Sequence, residues 1–242
     1  MNMVLSTFSP YMPSGIYLKD PLSSILGKNI LKTSIDLIDE LGFEDFTFRK
    51  LALELQSTEA SIYRYFESKH KLLVYLTSYY WSVMEYALKL KNANIKCPLD
   101  QISNFVKLVA HAEPDINFEC DMNTDMDHLF KIIYTESNKT YLIKSVDHLN
   151  EMGFYYNYKQ MILQVSELVS QMNNKFKSPQ MLISTVIEGI HHQVFFSVHL
   201  PSLSDGSESR KAIADFFIML IKQTSGSPHE SVNYLVQAAH SK

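Results

Sequence analysis

A chain of 242 residues, 46% of them apolar and 12% aromatic, can bury one large core or two small ones, which excludes the disordered class. Two cysteines, Cys97 and Cys120, exclude a disulfide framework and point to a reducing compartment. A formal net charge of -4 excludes bulk attraction to nucleic acid, so any DNA binding must rest on local placement of charge. The opening MNMVLSTFSPYMPSGIYLKD lacks an early basic cluster and is broken by Pro10, Pro13 and Gly15, which argues against a signal peptide. No apolar run approaches the ~20 residues that span a bilayer. A cytoplasmic location is expected.

Glycine and proline are scarce and fall mostly between periodic segments, which predicts an all-α chain. Residues 24–41 carry an apolar face at Ile30, Ser34, Leu37, Ile38 and Leu41, stopped by Gly42. A short helix follows with Thr47 as N-cap, Phe46 placed to staple against Leu51, and Leu51, Ala52 and Leu55 on its apolar face. Thr58 is placed to cap a third helix through Phe66, with Glu59 suited to its first turn. On a 100° wheel Ile62 and Phe66 face inward, while Ala60 and Arg64 point outward with Ser61 and Tyr65 on one flank and Tyr63 on the other. Small residues at a helix start with larger polar ones behind them suit close approach to base edges, the layout of a recognition helix.

From Lys69 a long helix is predicted to about Leu90, and beyond Cys97 and Pro98 helix follows helix: 99–111, two elements within 121–152, 154–176, 180–200, 209–224, and a short segment from Val232. The helices over 180–200 and 209–224 are the most apolar, with stripes through Val186, Ile190 and Val194 and through Ile213, Phe216, Phe217 and Leu220. The stretch PSLSDGSES at 201–209 reads as a polar loop.

Residues about 28 to 73, ILKTSIDLIDELGFEDFTFRKLALELQSTEASIYRYFESKHKLL, resemble the tetracycline-repressor (TetR) family of transcriptional regulators. The likeness rests on Gly42-Phe43, the Thr47 start, Leu51-Ala52, Ser61-Ile62-Tyr63, Tyr65-Phe66, and Lys69 followed by Leu72. It implies a homodimer reading a palindromic operator in double-stranded DNA, a C-terminal pocket for a small-molecule effector, and no enzyme activity or cofactor. By this resemblance 1–22 is an extension, 23–70 the helix-turn-helix DNA-binding domain, and 71–242 the helical effector and dimerisation domain. The DNA-binding set is Thr47, Arg49, Thr58, Glu59, Ala60, Ser61, Tyr63, Arg64, Tyr65 and Lys69, in which an Arg49 guanidinium suits guanine O6 and N7 and Lys69 would meet phosphate. Tyr80, Trp81, Met84, Tyr155 and Met161 are candidates for the effector pocket. Val186, Ile190, Val194, Ile213, Phe216, Phe217 and Leu220 are candidates for the dimer interface. A ligand against the later turns of the long helix, at Tyr79, Tyr80, Met84 and Leu88, would spoil half-site spacing and release a repressor.

The sequence also departs from the family pattern. Gln56 and Ser57 stand where the turn usually has a glycine and a small apolar residue, so its geometry is open to change. Glu59 puts a carboxylate where many relatives have a neutral or basic group. From Arg49 to Lys71 five cations (Arg49, Lys50, Arg64, Lys69, Lys71) face three carboxylates (Glu54, Glu59, Glu67), a local charge of +2. One alternative is a dimeric ligand-binding protein that has lost operator binding. A helical-bundle metalloenzyme is the other, prompted by the E-x-x-H spacing of Glu188 and His191 with Asp125 and His128 as the nearest partner. No glycine-rich phosphate loop or nucleophile motif is present, and the cysteine spacing does not suit zinc.

Overall fold

The computed structural model describes residues 10–112, 126–205 and 209–226, and every regular element among them is helical. The chain groups into two compact units, residues 1–86 with 114–159 and residues 87–113 with 160–242.

In the first unit a 3-10 turn, Pro21–Ser23, leads into α1 (Ile25–Leu41), whose start is capped by the Ser24 hydroxyl accepting from the Gly27 amide at 3.1 Å. Gly42 ends α1 at φ 77°, a left-handed conformation that a Cβ would oppose. The short α2 (Phe48–Glu54) is capped by Thr47, whose hydroxyl accepts from Lys50 N, and α3 (Glu59–Tyr63) is capped in the same way by Thr58. Ile30, Leu31, Ile35, Ile38, Phe46, Leu51, Ile62 and Phe66 close the core of this three-helix element. Ser68 caps α4 (Lys69–Asn92) through Lys71 N, and α4 is buried along nearly all of residues 72–84. The unit is completed by α6 (Met126–Glu136), α7 (Asn138–Tyr141), α8 (Val146–Glu151) and the first turn of α9 (Tyr156–Met172), with α1 packed on α6.

In the second unit α5 (Pro98–Val109), α10 (Pro179–His199) and α11 (Arg210–Ser225) pack on one another. Ile102, Phe105, Val106, Ile187, Ile190, Ala214, Phe217 and Ile221 fill the space between them. The approach of α10 and α11 is close at Gly189, where an added Cβ would lie 2.8 Å from the Phe217 ring, so the glycine sets the helix separation.

Helix positions follow the apolar periodicity with two exceptions, the first being that 121–152, expected to hold two elements, carries three helices among the described residues, α7 being too short to show a period. The third helix was expected through Phe66 but stops at Tyr63, and Tyr65 and Phe66 turn into the core instead of continuing the wheel. The predicted segment from Val232, residues 121–125 at the start of the two elements expected within 121–152, and residues 206–208 of the polar loop lie outside the described residues.

Candidate nucleic-acid interface

The turn between α2 and α3 is where the sequence departs from expectation, and its geometry is regular. Ser57 N donates to Ala52 O at 2.9 Å and Gln56 N to Leu53 O at 3.1 Å, the paired closure of a Schellman cap. Gln56 adopts φ 49°, taking the left-handed conformation that glycine would take at the C′ position. A residue with a Cβ there costs roughly 1 kcal/mol relative to glycine. The turn keeps its shape at that cost.

This turn presents an outward surface built from both helices. Thr47, Arg49, Thr58, Glu59, Ala60, Tyr63 and Arg64 are exposed, and Ser61 is half-buried with its hydroxyl 3.0 Å from that of Thr58. Tyr63 is 48% exposed and its ring meets Phe48 edge-on with centroids 5.0 Å apart, so packing fixes the ring while its rim reaches solvent. Ile62, between Ser61 and Tyr63 in sequence, is fully buried and anchors the helix.

Two residues of the sequence-based set occupy other positions. Tyr65 is only 3% exposed; its hydroxyl pairs with Ser24 Oγ at 2.8 Å and its carbonyl accepts from Leu18 N at 2.8 Å, so it joins α3 to the chain ahead of α1. The wheel put it on the outer flank because it assumed three more helical residues. Lys69 directs its ammonium at the α1–α2 turn, donating to Phe43 O at 2.9 Å, Glu44 O at 2.8 Å and Phe46 O at 3.0 Å, with the Phe43 ring 4.8 Å away. All three donors are thereby used within the protein. Lys50 Nζ donates to Asp45 O and Lys71 Nζ to Gly15 O, both at the surface.

A second clamp on the α1–α2 turn comes from α6 and α7, which sequence reasoning did not connect to it. Phe43 N donates to Glu136 Oε1 at 3.2 Å, and Lys139 Nζ bridges Glu44 and Glu136, 2.8 Å from each. Burial works against the Lys139 charge, but its bonds to Glu136 and Glu44 outweigh this and raise its pKa. The Lys139 bond and charge in turn hold Glu44 below its ordinary range. Lys131 meets Asp39 at 2.6 Å on the same side of α1.

Beside this clamp is a small cavity lined by α4 residues Val74, Thr77, Ser78 and Trp81, by Thr140 and Tyr141, and by Phe154, Tyr155 and Tyr158. Its volume is about 10 Å³, the space of a single water. The lining has no charged side chain, and burial pushes the Tyr155 phenol up to about 12 while its hydroxyl donates to Thr140 O at 2.5 Å. Of the candidate pocket residues, Trp81 and Tyr155 line this space. Tyr80 and Met84 are buried in α4 outside the lining, and Met161 belongs to the other unit. Thr140 and Tyr141 were missed because the four-residue α7 is too short to show a period, and Tyr158 was missed on the first turn of α9.

Most residues expected at the dimer interface are also placed elsewhere. Val186, Ile190, Val194, Ile213 and Phe217 are buried in the chain's own second unit, where α5, α10 and α11 meet, and are not available as surface. Phe216 is 50% exposed and Leu220 half-buried, beside exposed Met219 on α11; Met181, Val198 and Leu200 are exposed on α10 and at its end. His191 is buried, and burial, with His111 and His192 nearby, lowers its pKa to about 3. Among the described residues no group of three or more His, Cys, Asp or Glu side chains is placed to hold a metal, and His128 lies 3.6 Å from Asp36; Asp125 and Cys120 lie outside them. No described helix is long and apolar enough to cross a membrane.

A comparison with curated proteins returned no match. Among solved structures, AibR in complex with isovaleryl coenzyme A and operator DNA is similar over 80% of this chain and 97% of its own, at 16% identity and a TM-score of 0.56. The fatty acid degradation regulator FadR from Bacillus halodurans is similar over 84% of this chain and 95% of its own, at 15% identity and a TM-score of 0.57. A putative transcriptional regulator from Saccharomonospora viridis in complex with choline is similar over 81% and 94%, at 17% identity and a TM-score of 0.56. Likeness at this level of identity establishes the shared all-helical fold. Residues 30–76, from the middle of the first turns of α1 into α4, match the family model described as bacterial regulatory proteins, tetR family. The N-terminal helix-turn-helix of this chain is therefore a tetR-family domain.

Proposed function

We propose that the chain is a sequence-specific, duplex-DNA-binding transcriptional regulator, a homodimer released from its operator by a small-molecule effector. The observation that carries this reading is the exposed face of α2 and α3, where Arg49, Thr58, Glu59, Ala60, Tyr63 and Arg64 stand outward on a regular Schellman turn. Ala60 leaves room for close approach to base edges, Arg49 suits a guanine, and Arg64 and the Thr hydroxyls suit phosphate. Residues 23–70 are the DNA-reading part, 71–242 the effector and dimerisation part, and 1–22 an extension. The AibR complex with an acyl coenzyme A and operator DNA supports pairing an effector with an operator here. Exposed Phe216 and Met219 on α11 and Val198 on α10 are apolar surface that a second copy would cover.

The effector site is the cavity beside α7. A ligand larger than one water must enlarge it, and the uncharged, aromatic and hydroxyl lining favours an uncharged ring or acyl group. Such a ligand would act on the helix-turn-helix through α7 and the start of α4. A second reading, a ligand-binding protein without operator binding, is favoured by the exposed Glu59 carboxylate at the first position of α3. Electrophoretic shifts of genomic fragments at 50 and 200 mM salt separate the two. A regulator gives a specific complex that weakens steeply with salt; its absence from every fragment leaves the second reading.

A further inference from the structure

Of the lysines expected at the DNA face, Lys69 commits all three donors to backbone carbonyls, while Lys50 and Lys71 each donate to one carbonyl at the surface. Arg49 and Arg64 remain outward. A face with two guanidiniums, a Lys50 partly engaged by Asp45 O and an exposed Glu59 would be weakly cationic for a duplex carrying a charge every ~1.7 Å. The segment ahead of α1 supplies a further charge.

Residues 15–24 cross the end of α3 and are held there at several points. Leu18 N donates to Tyr65 O at 2.8 Å, Ser24 Oγ pairs with the Tyr65 hydroxyl at 2.8 Å, Lys71 Nζ donates to Gly15 O at 3.0 Å, and Ile16 is buried. The Tyr17 ring meets Tyr75 of α4 edge-on at 6.0 Å. This anchoring places exposed Lys19 with its ammonium 5.1 Å from the Tyr65 ring centroid, one residue along from Arg64. The neighbouring carboxylate of Asp20 accepts from Leu22 N at 2.9 Å and is committed to the 3-10 turn. The Tyr65 phenol is held below its ordinary range by the Ser24 bond first, and the charges of Lys19 and Arg64 act in the same direction.

We propose that Lys19 is a DNA-phosphate contact contributed by the segment ahead of the helix-turn-helix, held by the Tyr65 ring at the end of the recognition helix. The inference rests on the DNA-binding reading above and adds a residue outside the 30–76 match. A compact ammonium with three rotatable donors suits a phosphate oxygen without reading sequence.

The test is the salt dependence of binding to a 30-base-pair duplex of mixed sequence, followed by fluorescence anisotropy from 50 to 300 mM NaCl for the full chain and for Lys19→Gln, Lys19→Arg and Lys175→Gln. Each lost phosphate contact lowers the slope of log K against log salt by about 0.9, which is about eightfold in affinity at 0.1 M when the 1 M intercept is unchanged. Lys19→Gln should show that loss per chain, Lys19→Arg should restore the slope, and exposed Lys175→Gln should match the parent. A parent-like slope in Lys19→Gln overturns the proposal and leaves the DNA-binding reading intact, as does weaker binding with an unchanged slope. Failure of the parent chain to bind any duplex in a salt-dependent way overturns both.

Discussion

Lys69 offers the sharpest test of how the helix-turn-helix is held, because its position in the family pattern suggests phosphate while its geometry makes it a staple. Replacing it with Met keeps the length and removes the ammonium. Of the three carbonyls it serves, those of Phe43 and Phe46 are in part-buried bonds and that of Glu44 is at the surface, where water can replace the donor. A hydrogen bond from a charged donor contributes about 1.5–3 kcal/mol. Two such bonds, less the partial recovery from a packed thioether against Phe43, put the expected loss at about 2–4 kcal/mol. Trp81 is the chain's single tryptophan and belongs to the same compact unit, so its fluorescence in urea reports this unfolding. The salt slope for duplex DNA, measured below the unfolding range, should stay parent-like. A Lys69→Met protein whose stability is within about 0.5 kcal/mol of the parent, and whose salt slope falls by about 0.9, would refute the staple and restore the phosphate role.

His191 predicts a pH dependence. Its folded pKa of about 3 lies below the ordinary 6.5, so the unfolded chain takes up a proton below pH 6.5 that the folded one refuses until about pH 3. Stability from this group is complete above pH 6.5 and declines by about 1.4 kcal/mol per unit below it, roughly 2 kcal/mol by pH 5. Urea midpoints at pH 7.5 and 5 should therefore separate less in His191→Gln than in the parent, and parallel profiles would sink the idea. For assembly, Phe216→Glu places a charge on a half-exposed ring and should give soluble monomer in sedimentation velocity at micromolar concentration, whereas Val194→Asp puts one in the core and should unfold the second unit. A Phe216→Glu dimer as tight as the parent would move the interface off α11.

The helices could be read from sequence because each buries a face of regular period: the first was expected over 24–41 and runs Ile25–Leu41, and the long one starts at Lys69 as expected. Thr47 and Thr58 were legible as caps because an N-cap is a local device of three residues. Tyr65 and Lys69 were not, because their roles depend on a chain reversal: α3 ends three residues short of Phe66, and Lys69 reaches a turn more than twenty residues back. The apolar stripes of α10 and α11 located burial at Val186, Ile190, Val194, Ile213 and Phe217 but not at half-exposed Phe216, and could not say what covers the buried face. Helical spacing shows that a face is buried, and only tertiary packing shows whether the neighbour is the same chain or another copy.

The same limitation of local reading applies to α7, and it bears on how an effector could reach the DNA face. This helix has four residues, Asn138–Tyr141, and no period of its own. Thr140 and Tyr141 line the cavity, while Lys139 between them and Asn138 bridges Glu44 and Glu136 and its carbonyl lies 3.1 Å from His70 Nε2 at the start of α4. Adjacent residues on a single turn thus point at the cavity and at the loop that joins α1 to α2. A ligand that enlarges the cavity must displace α7, α4 or Phe154–Tyr158, and the first two carry the clamps on that loop: Lys139 on α7 and Lys69 on α4. Weakening operator binding a hundredfold requires only about 2.7 kcal/mol of differential affinity between the clamped and displaced states. The loss of one charge-assisted bond is of that size. On the proposed reading the path from cavity to loop would run through one residue of α7, whereas the lever expected from sequence lies at Tyr79, Tyr80, Met84 and Leu88 of α4, so substitutions at Lys139 and at Met84 would separate the two routes.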